Sequence, residues 1–429
     1  MEQRLTRRVA GVLHSRLPEA GFEHVPDPRR EVSVKWPLPT ILKMGVTGIL
    51  ARCRSLAHLE NLSDEMSPSA RKLLDLPKRL PDTTIRDTLV KLEPDALRAA
   101  LYRQIRKAVR RKALRPEGLP FGVVSLDGKF TAIEDTKSKY VSFCRNKNDA
   151  SEYGKLGTVT TTLISAAAKP CLDARPIGGG WGEETVFDYA LHELLDAYGS
   201  LDLFKLVVYD AGACSMVNAR STREAGLHYM FRIKKGKQPK LAGAADQELG
   251  ARGINEADAV VDGDFNGQPE RRSVYLSEKI STWPRWTQMR TVIRVLWELF
   301  DSDGNVVKKD NRYYVSSLSQ NALTPKQWIA ISRGHWAVEN NCHHTFDTVF
   351  KEDTKPWISA DAVGMLAVLL LRRIAYNILT LYRTVTQRSA TGRHTPWRDL
   401  CRWFYNMLLV VNDDHIEGLR VRKRTADGI

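Results

Sequence analysis

The residue pattern predicts an α/β protein in which a helical N-terminal region precedes a mixed sheet and a β insertion interrupts that sheet. Residues 119–236 alternate β-branched runs with amphipathic ones, in the order strands, helix, strand, helix, strand. Residues 237–322 turn to strands and hairpins, carried by AVVDGDF, RRSVYLSEK, TVIRVLWELFDSDGNVV and RYYVSSL. Residues 1–118 read as mostly helical, and 323–385 repeat apolar side chains at helical spacing. The expected units are a helical region over 1–118, an α/β domain in two parts over 119–236 and 323–385, a β subdomain over 237–322, and a C-terminal helix with a basic tail over 386–429.

Leu38–Leu50 is an apolar helical stretch continued by ARCRSLAHLENLSDEM. In PDTTIRDTLVKLEPDAL, Asp82 or Thr83 caps one short helix and Pro94 opens the next. A pair of short helices with a basic second member resembles a helix-turn-helix, whose second helix can enter a major groove. The run from Arg103 to Arg115, which includes Arg106 and Arg110, is then either a DNA contact or a solvated basic face.

FGVVSLDGKF, KYVSFCRN and LGTVTTTLISA read as successive strands. The loop RPIGGGWGEE lacks the lysine and hydroxyl residue of a phosphate cradle, so it is a turn leading to a helix over Glu184–Tyr198. LFKLVVYDAGAC is an apolar strand ending on Asp210; a helix over Ser215–Ala225 and the strand HYMFRIKK follow. Asp303–Gly304 supplies a tight turn in the insertion. Thr324 and Pro325 give an N-cap and a first helical position. From there Trp328, Ile331, Val338, Cys342, Phe346 and Val349 form one apolar stripe, with Glu339 on its edge and His335 and His343 each four residues away. The apolar run Ala362–Leu371 is too short to span a bilayer and predicts a buried helix.

The sequence carries 65 Lys and Arg against 50 Asp and Glu, and a net charge of +15 favours a polyanionic partner. Its six cysteines show no CxxC pairing, which speaks against a zinc knuckle or a disulfide framework and for a reducing compartment. MEQRLTRRVAGVLHSRL lacks the apolar core of a signal peptide. The expectation is a soluble, cytoplasmic protein with no membrane partner.

Asp127 ends the apolar run VVSLD and Asp210 ends LVVYD, each leading into a small residue. Carboxylates there point into the crevice where open α/β sheets place ligands; the alternative is an Asp that forms a turn. Glu339 would add a third oxygen donor, or else pair with Arg333 or a histidine. An all-oxygen site suits Mg²⁺ or Mn²⁺. Two such ions, roughly 3.5–4 Å apart, activate water and stabilise a leaving 3′ oxygen in phosphodiester chemistry.

The blocks VSLDGK, VVYDAGA and SRGHWAVENNCHHTFDTVFKED together resemble the DDE transposases of bacterial insertion sequences, above all the ISAs-type branch. The last block of that branch reads R-x-H-W-x-[IV]-E-N-x-x-H-x-x-[FL]-D-x-x-F-x-E-D. It is matched by Arg333, His335, Trp336, Val338, Glu339, Asn340, His343, Phe346, Asp347, Phe350, Glu352 and Asp353. PDTTIRDTLVKLEPDAL resembles the domain that accompanies this catalytic core, so the likeness runs from about residue 38 to 385.

The resemblance implies a ribonuclease H-like catalytic core with a β insertion and a helical DNA-binding domain before it. It also implies a catalytic, metal-binding triad of Asp127, Asp210 and Glu339, two Mg²⁺ or Mn²⁺ ions, cleavage and strand transfer at element ends, and a homodimer on double-stranded DNA. Broader relatives carry an Arg four residues before the Glu and a Lys seven after it, where this chain has His335 and Phe346. Arg333, His343, His344 and Lys351 are therefore the candidates for those DNA contacts. His335 and His343 are ligands of the metal, orienters of Glu339 or phosphate contacts; Lys129 is a phosphate contact or a solvated lysine. Trp283, Trp286 and Trp297 either stack on a flipped base or belong to the core. The cations of RIKKGKQPK and VRKRT contact phosphates or are solvated. A DNA-binding protein without catalysis, and a metal-dependent nuclease without strand transfer, are the competing readings.

Overall fold

A computed structural model of the chain describes residues 3–31, 34–210, 212, 214–280, 286, 288–336 and 338–424, so Ala211, Trp283 and Thr425 lie outside the described residues. Six helices open the chain: α1 (Gln3–Arg16), α2 (Leu38–Leu50), α3 (Leu56–Glu65), α4 (Pro68–Leu73), α5 (Asp82–Leu89) and α6 (Pro94–Arg110). Their starts are set by local chemistry. The Ser55 and Ser67 hydroxyls accept from the backbone N–H groups of His58 and Ala70, and prolines stand in the first turns of α2, α4 and α6.

The sheet elements follow: β1 (Val123–Ile133), β2 (Val141–Arg145), β3 (Glu152–Leu163), β4 (Cys171–Ile177), α7 (Glu183–Tyr198), β5 (Leu206–Tyr209), α8 (Met216–Glu224), β6 (His228–Arg232) and α9 (Pro239–Leu249). Next come β7 (Ala259–Phe265), β8 (Gln268–Ser277), β9 (Thr291–Phe300), β10 (Val306–Ser316), α10 (Pro325–His335) and α11 (His344–Thr348). The chain closes with α12 (Ala362–Leu381), α13 (Ala390–Arg393), α14 (Trp397–Val410) and α15 (Asp413–Arg424).

All ten strands join one sheet in the order β2-β3-β1-β5-β6-β10-β9-β8-β7, with β4 also paired to β3. Strands β1, β5 and β6 are parallel, linked by crossovers that carry α7 and α8, while β3 runs antiparallel to β1. This mixed α/β core is consistent with a ribonuclease H-like domain. Both of its faces are covered. Val207, Tyr209, Tyr229 and Phe231 point into one apolar cluster with α7, α8 and α9, and the alternate Leu206, Val208 and Met230 point into another with α10. That is why LVVY is apolar without alternation.

The insertion does not stand apart as a separate sheet. Strand β10 pairs with β6, so β7–β10 extend the core sheet as an antiparallel meander. Its tight turn lies where the sequence puts it, with Gly304 at φ 82° and the Asp301 carboxylate accepting from the Asp303 and Asn305 N–H groups. The segment opens on a helix and not on strands: α9 buries only Leu241, Ala245 and Leu249, a stripe too small and alanine-rich to stand out.

The expected single helix through Glu339 is also broken. Helix α10 starts on a Thr324–Gln327 capping box and stops at His335; Val338–His343 form a π-helical turn before α11. The stripe residues are all buried, but Trp328, Ile331 and Val338 pack under the sheet whereas Cys342, Phe346 and Val349 pack among the N-terminal helices. The wider turn lets the segment pass from one core to the other.

Helix α12 is buried along nearly its whole length, against α2, α5, α6 and β4. With its extension to Thr386 it is long and apolar enough to cross a membrane, yet 94 % of its apolar window is buried inside the protein. It shares one core with the N-terminal helices and α14, through Leu42, Ile85, Leu101, Ile374 and Phe404. All six cysteines are free thiols.

Candidate active site

Strand register places the two aspartates. β1 and β5 pair in parallel from Val123 with Leu206 to Leu126 with Tyr209, so Asp127 and Asp210 directly follow the last paired residues. Asp210 lies just past the end of β5, whereas β1 does not end at Asp127 as expected but runs on to Ile133, paired with β3. The pairing begins at Gly122, whose carbonyl accepts from the Lys205 N–H; a Cβ on Gly122 would lie 1.9 Å from the Leu203 carbonyl oxygen. Only glycine allows that approach. Both aspartates are half-buried. The Asp210 carboxylate accepts from the Gly212 N–H, as a turn-forming Asp does, and Asp127 lies 3.4 Å from His343 Nδ1.

Side chains at alternate positions of β1 share one face, and on that face β1 reads the segment after Glu339 in steps. Asp127 meets His343, and Lys129 forms ion pairs with Asp347, Glu352 and Asp353. Thr131 Oγ1 donates to Asp353 at 3.0 Å. Lys129 is only 9 % exposed, so it is neither a solvated lysine nor a free cation. Glu352 in turn pairs with Arg373 of α12, whose guanidinium also lies 4.1 Å from the centre of the Phe346 ring. Burial raises the Glu352 carboxyl, but Arg373, Lys129 and Arg372 outweigh it and hold the carboxyl at about 2.

His335 is buried, and its Nδ1 shares a 2.6 Å hydrogen bond with Ser125 Oγ. Burial lowers its pKa to about 4, with Arg232 and Arg312 acting the same way and Asp127 and Asp210 opposing. The ring is therefore neutral at physiological pH and turned toward β1. The unfolded chain takes a proton here near pH 6.5, so between about pH 6.5 and 4 the unfolded state binds more protons, and stability falls as pH drops. This group should contribute a loss on the order of 3 kcal/mol across that window. His335→Gln should flatten the pH dependence of the denaturation midpoint there; an unchanged slope would place the imidazole in water.

His343 is buried as well, and its Nε2 has no hydrogen-bond partner among the described residues. Glu339, expected between its two histidines at the edge of a buried stripe, is exposed on the π-helical turn and has no hydrogen bond or ion pair among the described residues. Arg333 is exposed too, but its ion contact, 3.8 Å, is to Glu270 and not to Glu339. Among the described residues no three His, Cys, Asp or Glu side chains converge on a point where an ion could be held. Glu339 thus does not complete a three-carboxylate cluster with Asp127 and Asp210 in this conformation.

A cleft of about 440 Å³ adjoins Asp210, between β6, α9 and β10, and Arg232, Lys234, Lys235 and Arg312 line it. Lys234 and Lys235 are exposed and have no ion pair among the described residues. Arg312 stacks 3.9 Å from the centre of the Trp336 ring, which fixes that tryptophan beside the site. Lys351 is half-buried with a left-handed backbone, φ 56°. Arg106 donates through Nε and Nη2 to the Ala197 carbonyl at the end of α7, so it ties two helices together, while Arg110 is exposed. Trp286 donates to the Tyr229 hydroxyl and Trp297 to Glu270, and both are buried, which makes them core residues.

The matched motif already contained Asp347, Glu352 and Asp353, but their pairing with Lys129 and Arg373 needed the fold. Residues 122–378 match the family model described as Transposase DDE domain, more than half of the chain, and residues 20–105 match the one described as DDE_Tnp_1-associated. The chain belongs to the DDE transposase family. No curated protein matches it. In this DDE transposase both matched segments meet on one core: α2, α5 and α6 from the first pack against α12 from the second.

Proposed function

We propose that the chain is the transposase of an ISAs-type insertion sequence, binding terminal inverted repeats and cutting and joining DNA at element ends. The β1–β5 register supports this reading, because its last pair, Leu126 with Tyr209, directly precedes Asp127 and Asp210. The two carboxylates would be the hard-oxygen donors that a divalent ion takes, Mg²⁺ or Mn²⁺, and Glu339, on the π-helical turn that packs against β1, would be the third once it turns inward. Two such ions would supply an activated water or 3′-OH and charge stabilisation for the leaving oxygen. His343 orients the Asp127 carboxylate, and neutral His335 holds α10 against β1 through Ser125. Arg232, Lys234, Lys235 and Arg312 bind DNA phosphates beside Asp210. The protein works in the cytoplasm, as a homodimer once two DNA ends are paired.

Incubation of the full chain with a duplex carrying the repeats that flank its own coding sequence, a circular target and Mg²⁺ tests this. The expected product is donor DNA joined to the circle, absent when EDTA replaces Mg²⁺. Fragments without joined product would make it a plain nuclease. Binding without cleavage would make it a silent DNA-binding protein.

A further inference from the structure

One surface cavity lies away from the aspartates, with neither Asp127 nor Asp210 in its lining. It measures about 850 Å³ and is walled by α1, the short turn after it, the end of α6 and the side of α15. Among the described residues six Lys and Arg side chains line it, Arg4, Arg7, Arg8, Arg16, Lys107 and Arg111, against one carboxylate, Glu19. All six fall outside both family-matched segments, 20–105 and 122–378.

The groove has two zones. On its inner side the buried Glu19 carboxylate pairs with Arg16 and Arg111 and satisfies them. On its rim Arg4, Arg7 and Lys107 are exposed with no ion pair among the described residues, and Arg8 is exposed too, donating to Gln387 at 3.3 Å and interacting with the Tyr382 hydroxyl. Arg4, Arg7 and Arg8 lie at positions i, i+3 and i+4, hence on one helix face, where like charges repel and destabilise the helix. The other face of α1 buries Val9, Val12 and Leu13. No acid in the first turn of α1 offsets the repulsion. Gly11 and Ser15 line the groove further along α1, Gly11 where Leu419 of α15 comes so near that an added Cβ would lie 3.1 Å from it. A concave surface with unpaired guanidinium and ammonium groups on its rim, and its carboxylate already neutralised, is complementary to a chain of phosphates.

We propose that this groove binds the sugar-phosphate backbone of duplex DNA, as a contact surface separate from the catalytic edge. The proposal rests on the transposase reading and deepens it. It moves the main N-terminal DNA contact from the α5–α6 pair, where Arg106 is occupied, to α1 and the last turn of α6. The contact is to backbone and carries no base readout, so it acts on any duplex.

The test uses the full chain and measures binding to a terminal-repeat duplex and to an unrelated duplex of equal length over a range of salt. Arg4→Ala/Arg7→Ala/Lys107→Ala should make the slope of log K against log salt shallower by about 2 to 3, at about 0.9 per lost phosphate contact, for both duplexes. Ser15→Glu, which adds a charge to the groove and removes none, should weaken both by on the order of tenfold at low salt. A control triple at exposed lysines outside the groove, Lys147→Ala/Lys205→Ala/Lys326→Ala, should keep the native slope. Equal losses in the control triple, or a native slope in the groove triple with unchanged thermal melting, would overturn the groove and leave the transposase reading standing. A native chain that binds neither duplex would end both.

Discussion

Asp210→Ala and Asp127→Ala should each reduce metal-dependent strand cleavage by on the order of 10³-fold or more, the scale on which a preorganised charged group contributes. DNA affinity at fixed salt should stay near native, because neither side chain is a cation. The two variants should differ in stability. Asp210 is held by a backbone N–H within its own turn, whereas Asp127 faces the buried His343, so removing Asp127 also strips a partner from that ring. Glu339→Ala should lose as much cleavage at no cost in stability, since the side chain is exposed. Cleavage rates with Mg²⁺, alongside denaturant midpoints, separate the cases. Near-native cleavage by Asp210→Ala would remove the two aspartates from the chemistry, and a stability loss in Glu339→Ala would contradict its exposure.

The end of β5 was legible in the sequence because its apolar run stops abruptly on Asp210, but the same signal misplaced the end of β1, which runs past Asp127 to Ile133 because β3 goes on pairing with it. The N-terminus of α10 was legible as well, since Thr324, Pro325 and Gln327 act through contacts within a few residues. Harder to read was anything that depends on the period being other than 3.6. The stripe from Trp328 to Val349 is buried throughout, but it serves two cores, and the π-helical turn between them turns Glu339 outward. Helix α9 hid behind a small buried stripe. Lys129 showed the widest gap. One partner, Asp347, lies 218 residues away, and no local pattern tells a lysine after Asp-Gly whether it faces phosphate, water or three carboxylates. Composition favoured a polyanionic partner without saying where it binds. Arg4, Arg7 and Arg8 were visible at helical spacing, but the concavity facing them is formed by α6 and α15.

Glu352→Ala should destabilise the protein by about 3–5 kcal/mol, the cost of leaving a buried cation without its partner. Arg373 is fully buried and Lys129 nearly so, and among the described residues Glu352 is the carboxylate that pairs with both. A second route gives a similar figure. With the carboxyl at about 2 in the fold against 4.5 when unfolded, Glu352 contributes on the order of 3 kcal/mol, present above pH 4.5 and lost as pH falls through 2. Glu352→Gln keeps the shape but not the charge, so it should lose most of the same stability. Arg373→Met added to Glu352→Gln should recover part of the loss, because the pair is then replaced and not broken. Equilibrium denaturation at pH 7 checks the order: native, double variant, Glu352→Gln, Glu352→Ala. The network sits two residues along β1 from Asp127, on the same face, so loosening it should lower cleavage at temperatures where the variants are still folded. A double variant less stable than Glu352→Gln would mean that Arg373 contributes through its stacking on Phe346 more than through its charge.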